Sequence, residues 1–412
     1  MTTTPTPELP DDDRAHDRPG LASRDAVRQL AMHRGLSRAI VAAATMVMLI
    51  SSCDGDPSST RPDREETEPH RVDIFDPTDL PAGSSGTLVA AVDGEMLVCE
   101  GWGLANKEAG TEAGCDTVYD VMSMTKQFTA AAVLKLQMMG RLRVSDRISR
   151  FVDDVPTDKR AITVQQLLTH TAGLVEGLGD DYTRTSRGAL ISQALASDLR
   201  WPPGTRYLYS NVGYSLLAAI VEVASGEGYE EFLAHHLFEP AGMTSTGYVL
   251  PDWESATVAV EYDEGDRPQG RPFDHPWAAD GPYWNLRGNG GLLSTARDLF
   301  RWSQALEGDE VLDEPAKRQL FRPRVREGVN ADSRYAYGWV VLETPYGPAQ
   351  WHNGGNGWSY GEIVRIPTAH AFVFWATNHY RSRAGGWNLE RLGGRVTGDV
   401  VKRLVEEAGI HH

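Results

Sequence analysis

The stretch Val121-Met122-Ser123-Met124-Thr125-Lys126-Gln127-Phe128-Thr129-Ala130-Ala131-Ala132-Val133-Leu134 sets a serine at the head of a helical run and a lysine three residues later. Positions i and i+3 of a helix share a face, one turn apart. A serine hydroxyl is a poor nucleophile until a base takes its proton. Lys126 is within reach as that base if burial or a neighbouring positive charge keeps its amine neutral. The helix N-terminus adds unpaired N–H groups where an oxyanion would form. Taken alone, Ser-x-x-Lys also describes a capping serine followed by a solvated lysine, so the surrounding chain decides.

Length and charge narrow the choices. The chain has 412 residues and a net charge of -17, enough for one large or two ordinary domains. The acidic balance argues against a nucleic-acid partner, which needs a basic face. There is no internal repeat. The three cysteines, Cys53, Cys99 and Cys115, form no C-x-x-C pair, and H-E-x-x-H is absent. His235 and His236 are adjacent, so on a helix they point apart and make a poor metal site; no metal is expected.

Residues 1–31 are polar and read as a disordered extension. Residues 32–52 then combine a basic segment (Arg34, Arg38) with an apolar run from Ala39 to Ile50, short for a membrane span and right for a signal peptide. Met32 is a candidate start. Ser51-Ser52-Cys53 resembles the lipobox of bacterial lipoproteins, which implies lipid attachment at Cys53, export, and a membrane anchor. Residues 53–73 read as the lipidated cysteine and its tether, and residues 74–408 as the folded domain.

Within that domain, Thr87 to Val92, Asp93-Gly94 and Glu95 to Cys99 form a strong hairpin signal. In an exported chain Cys99 and Cys115 share an oxidising compartment and could pair, or remain as buried thiols. The Ser123 helix should end near Gly140. Thr163 to Leu174 reads as a short helix stopped by a glycine turn, with His170 bonding backbone at that helix's end rather than acting in catalysis. Helices are expected from Tyr214 to Ala224 and Tyr229 to Phe238, then a long loop over 251–285 at the edge of a cleft. Gly288 to Thr295 is a glycine-rich turn, and Ser294 or Thr295 caps a helix through Leu306. The C-terminal part turns strand-like at Tyr335 to Leu342, Ala349 to His352, Ser359 to Ile366 and Ala371 to Thr377, before an amphipathic helix from Leu389 to Glu407. Strands at both ends predict an α/β (α+β) fold: an antiparallel β-sheet built from N- and C-terminal segments, flanked by helices, with a mostly helical subdomain inserted.

Three short patterns stand in order: Ser123-Met124-Thr125-Lys126, Tyr209-Ser210-Asn211 and His352-Asn353-Gly354. With the flanks Leu167 to Leu174, Pro203-Gly204-Thr205 and Gly290 to Thr295, they resemble the serine β-lactamase and penicillin-binding-protein superfamily, over most of residues 85–405. The nearest branch looks like class C β-lactamases, D-alanyl-D-alanine carboxypeptidases and related esterases and D-aminopeptidases. The resemblance implies a β-lactamase/transpeptidase-like fold and an acyl-enzyme on Ser123. Lys126 and Tyr209 would handle protons, with Tyr209 needing a cation such as Lys126 to act as a base, since its ordinary pKa is about 10. Asn211, His352, Asn353 and Gly354 would bind substrate, and the N–H groups of Ser123 and Gly355 would form the oxyanion hole. No cofactor is implied. The third triplet departs from the Lys-Thr-Gly of β-lactamases, and a histidine with a pKa of about 6.5 grips a carboxylate less firmly than lysine. Hydrolysis of a small-molecule or peptide substrate is therefore expected, and efficient β-lactam turnover is in doubt. The alternative is a binding lipoprotein that kept the pocket. Trp284 and Trp358 could line the cleft or fill the core.

Overall fold

The structure of the chain is a computed structural model and describes residues 74–409. The 1–31 extension, the 32–52 leader, Cys53 and its tether lie outside the described residues.

Alternating apolar residues and a two-residue turn make the first hairpin. β1 (Ser85–Val92) and β2 (Glu95–Trp102) pair antiparallel, with Val92 opposite Glu95. Asp93 and Gly94 both take positive φ, +50° and +79°, as a type I′ turn requires. The remaining strands of this sheet come from the C-terminal part: β3 (Val325–Arg326), β4 (Arg334–Tyr335), β5 (Val340–Thr344), β6 (Gly347–Gly355), β7 (Tyr360–Ile366) and β8 (Ala371–His379). They lie in the order β3-β4-β5-β6-β7-β8-β1-β2, every pair antiparallel. The β1–β8 ladder, from Ser85 opposite His379 to Val92 opposite Ala371, is where the two ends of the domain meet.

Two expectations need correction. The run Tyr335 to Leu342 is two strands, because the chain turns at Gly338 (φ +70°), where a Cβ would fall 2.6 Å from the Lys126 carbonyl oxygen. Residues 251–285 are not one loop. Glu261–Tyr262 pairs with Pro268–Gly270, and Trp277–Ala278 with Gly281–Pro282.

Eight helices fall among the described residues: α1 (Thr125–Met138), α2 (Val164–Leu168), α3 (Arg187–Ala196), α4 (Asn211–Ser225), α5 (Tyr229–Leu233), α6 (Ala296–Glu307), α7 (Glu314–Leu320) and α8 (Leu389–Glu407). Thr163 caps α2 in a reciprocal box with Gln166, Ser210 caps α4, and Thr295 caps α6. Residues Thr125 to Leu134 of α1 are all buried, so this helix runs through the middle of the helical layer. The sheet separates two cores. Val89 and Ala91 of β1 and Phe372 and Phe374 of β8 face the helical layer around α1, while Leu88, Ala90, Val373 and Trp375 face α8. That is the two-residue period of a strand buried on both sides.

Cys99 on β2 is joined to Cys115, sixteen residues on. His235 and His236 both face the Glu227 carboxylate at 3.2 Å. Among the described residues no group of three or more possible metal ligands is found, and no helix is long and apolar enough to cross a membrane.

Candidate active site

The nucleophile's position is set by a short strand and a strained turn. Tyr119–Asp120 pairs with Leu293–Ser294, and the Val121 N–H donates to Leu292 O at 2.8 Å. Met122 follows with φ +48°, a conformation that costs a side-chain-bearing residue about 1–3 kcal/mol. Its N–H is satisfied by the Asp120 carboxyl at 2.6 Å. A 3₁₀ turn, Met122–Met124, then carries Ser123 into the first turn of α1.

Lys126 is wholly buried, and its Nζ lies 3.0 Å from Ser123 Oγ. Burial holds the amine well below its ordinary pKa, while Asp181 pulls the other way. Nζ also donates to the carbonyl of Asn289 at 2.7 Å. That carbonyl reaches the lysine because Gly288, at φ +81°, brings the turn against α4, where a Cβ would sit 2.5 Å from Ala218 Cβ. Asn289 has a part that motif spacing did not identify, although the glycine-rich turn around it was the available signal.

Tyr209 immediately precedes the cap of α4. Lys126 Nζ sits over its ring, 4.8 Å from the centroid, and the nearby Ser123 side chain favours the ionised phenol. Burial raises the Tyr209 pKa above its ordinary value, against the lowering by Ser123. The expected scheme, a tyrosinate stabilised by a lysine cation, is therefore disfavoured: a dry pocket penalises both charges, which pushes the amine toward its neutral form and the phenol toward its protonated form.

His170 supports this segment from beneath. Its Nδ1 accepts the Ser210 N–H at 3.0 Å, and its ring lies 4.4 Å from that of Tyr209. It thus bonds the backbone of the second motif, not the end of its own helix. Asn211, the first residue of α4, has its side-chain Oδ1 buried without a donor.

The third motif lies on β6, and the strand period splits it. His352 and Gly354 face the helical layer. Gly354 touches the nucleophile's turn, since a Cβ there would lie 2.8 Å from Val121 O and 3.0 Å from Ser123 N. His352 is buried, with Nδ1 donating to Asn353 O at 2.5 Å and Nε2 accepting from the Tyr335 hydroxyl at 3.1 Å. Burial, then Lys126, lowers its pKa to about 3. The imidazole is neutral and offers a carboxylate no charge. Asn353 does not join the site: its amide donates to Tyr360 Oη at 3.3 Å, on the face that packs against α8. The expectation that it binds substrate fails because adjacent strand residues point to opposite faces. Gly355 ends β6 opposite Tyr360, next to the turn that returns the chain.

Trp284 is buried under Arg287, whose guanidinium lies 5.1 Å from its ring. Trp358, half-buried, stacks on His275 at 4.8 Å, which stacks on Tyr182 at 4.2 Å.

A hydroxyl, an amine whose charge burial disfavours and a phenol thus converge. This set can transfer an acyl group to serine. Comparisons with known proteins agree with the geometry. The Beta-lactamase family model matches residues 79–394. Penicillin-binding protein 4* of Bacillus subtilis is 28% identical over 307 residues, covering 66% of this chain and 63% of that protein. The chain therefore spans less than two thirds of that relative's length. The octameric penicillin-binding protein homologue from Pyrococcus abyssi matches with a TM-score of 0.63 at 25% identity, over 72% of this chain and 70% of that one. A β-lactamase/D-alanine carboxypeptidase from Pseudomonas syringae matches in fold, with a TM-score of 0.65 at 20% identity over 79% of this chain and 94% of that one. With three motifs in order, this sheet and these matches, the chain belongs to the beta-lactamase family, within the superfamily of serine β-lactamases and penicillin-binding proteins.

Proposed function

We propose that the chain is a serine hydrolase that cleaves an amide or ester through an acyl-enzyme on Ser123. The observation that carries this reading is the buried Lys126 amine 3.0 Å from Ser123 Oγ. Lys126 takes the hydroxyl proton as Oγ attacks the substrate carbonyl. The N–H groups of Ser123 and Gly355 receive the oxyanion, a contribution that typically changes rate about 10²–10³-fold per donor. Tyr209, still protonated, passes a proton to the leaving group and is reprotonated through Lys126. Water then releases the acyl group by the same path in reverse. The unpartnered Asn211 Oδ1 is an acceptor for a substrate N–H.

Because His352 is neutral, recognition of a substrate carboxylate is weak. Small esters, which need no carboxylate grip, are favoured over β-lactams and over D-amino-acid peptides that end in a free carboxylate. The test is covalent labelling by a fluorophosphonate, with turnover of a p-nitrophenyl ester, a D-Ala-D-Ala peptide and a chromogenic cephalosporin. Label on wild type but not on Ser123→Ala is expected, with the ester turned over fastest. An unlabelled wild type that hydrolyses none of the three removes the reading and leaves a binding protein.

The same proposal includes export and a lipid anchor at Cys53. The Cys99–Cys115 bond supports export alone, since such bonds persist in oxidising compartments. Palmitate incorporation that survives Cys53→Ala would refute the anchor.

A further inference from the structure

Beneath the nucleophile lies a buried polar cluster to which the reaction assigns no task. Asp120 Oδ1 accepts the N–H of Met122, the residue before Ser123. Asn356, immediately after Gly355, donates from Nδ2 to Glu261 Oε1 at 2.8 Å and to Asp120 Oδ2 at 3.5 Å. Its Oδ1 accepts the N–H groups of Trp358 and Ser359, both at 2.7 Å, which folds the turn after β6. The Ser359 hydroxyl donates to the same Glu261 oxygen at 2.6 Å. Asp120 and Glu261 are 5% and 2% exposed, so both carboxyls are inside the protein.

The bonds run in a line from one end of the site to the other. Asp120 fixes the strained turn that presents Ser123. Asn356 fixes the turn that begins at Gly355. The amide of Asn356 joins the two. These are the two backbone segments whose N–H groups would face the oxyanion, and Gly354 lies against Ser123 between them. A shift of an ångström in such a site costs about 10²-fold in rate.

We propose that Asp120, Asn356 and Glu261 are positioning residues, a buried clasp that sets the spacing between the N–H of Ser123 and the N–H of Gly355. The proposal rests on the serine-hydrolase reading above and adds residues outside its three motifs.

The clasp also has a preferred protonation state. Burial first, and Glu261 second, push the Asp120 carboxyl up to about 8, with the Met122 N–H opposing and Asp181 adding to the rise. Glu261 is itself raised by burial. The groups facing this pair are the Met122 N–H, Asn356, Ser359, Asp181 and Tyr182, and His275, whose Nε2 is 4.0 Å from Glu261 Oε2. Below pH 8 Asp120 is neutral. Above it, negative charge enters the cluster beside the Glu261 carboxyl, across the amide of Asn356, and the clasp opens.

The experiment measures kcat and KM for a neutral p-nitrophenyl ester from pH 6 to 10, in wild type, Ser123→Ala, Asp120→Asn and Asn356→Ala, with thermal melts of each. Asn356→Ala should lower kcat about 10- to 100-fold with KM within about twofold, because the donors move and the binding surface does not. Wild-type kcat should fall along an alkaline limb near pH 8, and Asp120→Asn, which mimics the neutral acid, should lose that limb. A folded Asn356→Ala with wild-type kcat overturns the clasp, as does an alkaline limb unchanged in Asp120→Asn. If Asn356→Ala does not fold, the limb in Asp120→Asn decides. Hydrolysis that survives in Ser123→Ala, or a wild type without activity, removes the serine-hydrolase reading and the clasp's catalytic role together.

Discussion

Buried ionisable groups of similar depth and opposite character lie on the two sides of the sheet, Glu362 from β7 on one and Lys126 from α1 on the other. On the α8 face, Glu362 is wholly buried and takes hydrogen bonds from Tyr360 Oη at 2.7 Å, Trp351 Nε1 at 3.3 Å and Thr397 Oγ1 at 2.5 Å. On the face toward α1, the Lys126 amine is equally buried, but polar atoms around it are left open: His170 Nε2, Asn211 Oδ1 and, further out, Glu261 Oε2 have no partner. A buried polar group left unpaired costs about 1–3 kcal/mol. The back of the sheet avoids that cost and the front carries it. Satisfied valences mark a group that holds the fold, and open ones mark a surface that a substrate can complete.

Three measurements break or sharpen this contrast. Lys126→Met should lower turnover on the order of 10⁴-fold or more, as loss of one member of a catalytic unit does. Its melting temperature should not fall, because a buried amine gives way to an apolar side chain of like size. The pH dependence has a definite sign. The folded state holds Lys126 below its ordinary value of 10.5, so the unfolded chain binds an extra proton between the two values. Wild type therefore gains stability as pH rises toward 10.5, and Lys126→Met lacks that slope. Activity has the matching acid limb, since protonation of the amine removes the base. A marked loss of stability in Lys126→Met would erase the distinction between the faces.

Glu362→Ala should do the reverse. It strands three donors in the core at a cost of about 3–5 kcal/mol, read from denaturant unfolding. The kcat of the folded fraction should stay within about twofold of wild type, as expected for a site without shared partners. The smallest effect is expected for Asn353→Ala, which gives up one hydrogen bond worth about 1 kcal/mol. Its kcat/KM should match wild type. A collapse of kcat/KM in a folded Asn353→Ala would mean that the back face reaches the chemistry.

Much of this was legible in local patterns. The Asp93-Gly94 turn, the capped start of α6, and the bounds of α8 follow from residues adjacent in the chain, where turn chemistry and periodicity act. Ser123 and Lys126 were legible for the same reason, being one helical turn apart. His170, Asn289, Asp120 and Asn356 were not. Each acts on a partner distant in sequence, through an atom whose direction depends on how two segments pack. Asn353 was misread because a motif names neighbours along the strand, whereas the pleat sends them to opposite sides.

By itself, the sequence determined the family of chemistry, the order of the motifs, and a sheet closed between its two ends, because these depend on short-range spacing and on the alternation of apolar residues. Tertiary structure alone decided the protonation states. The amine of Lys126, the phenol of Tyr209 and the imidazole of His352 all carry ordinary pKa values in a free chain, and only removal from water pushes all three toward their neutral forms together. Burial is a property of the whole packed molecule, and no local stretch of residues encodes it.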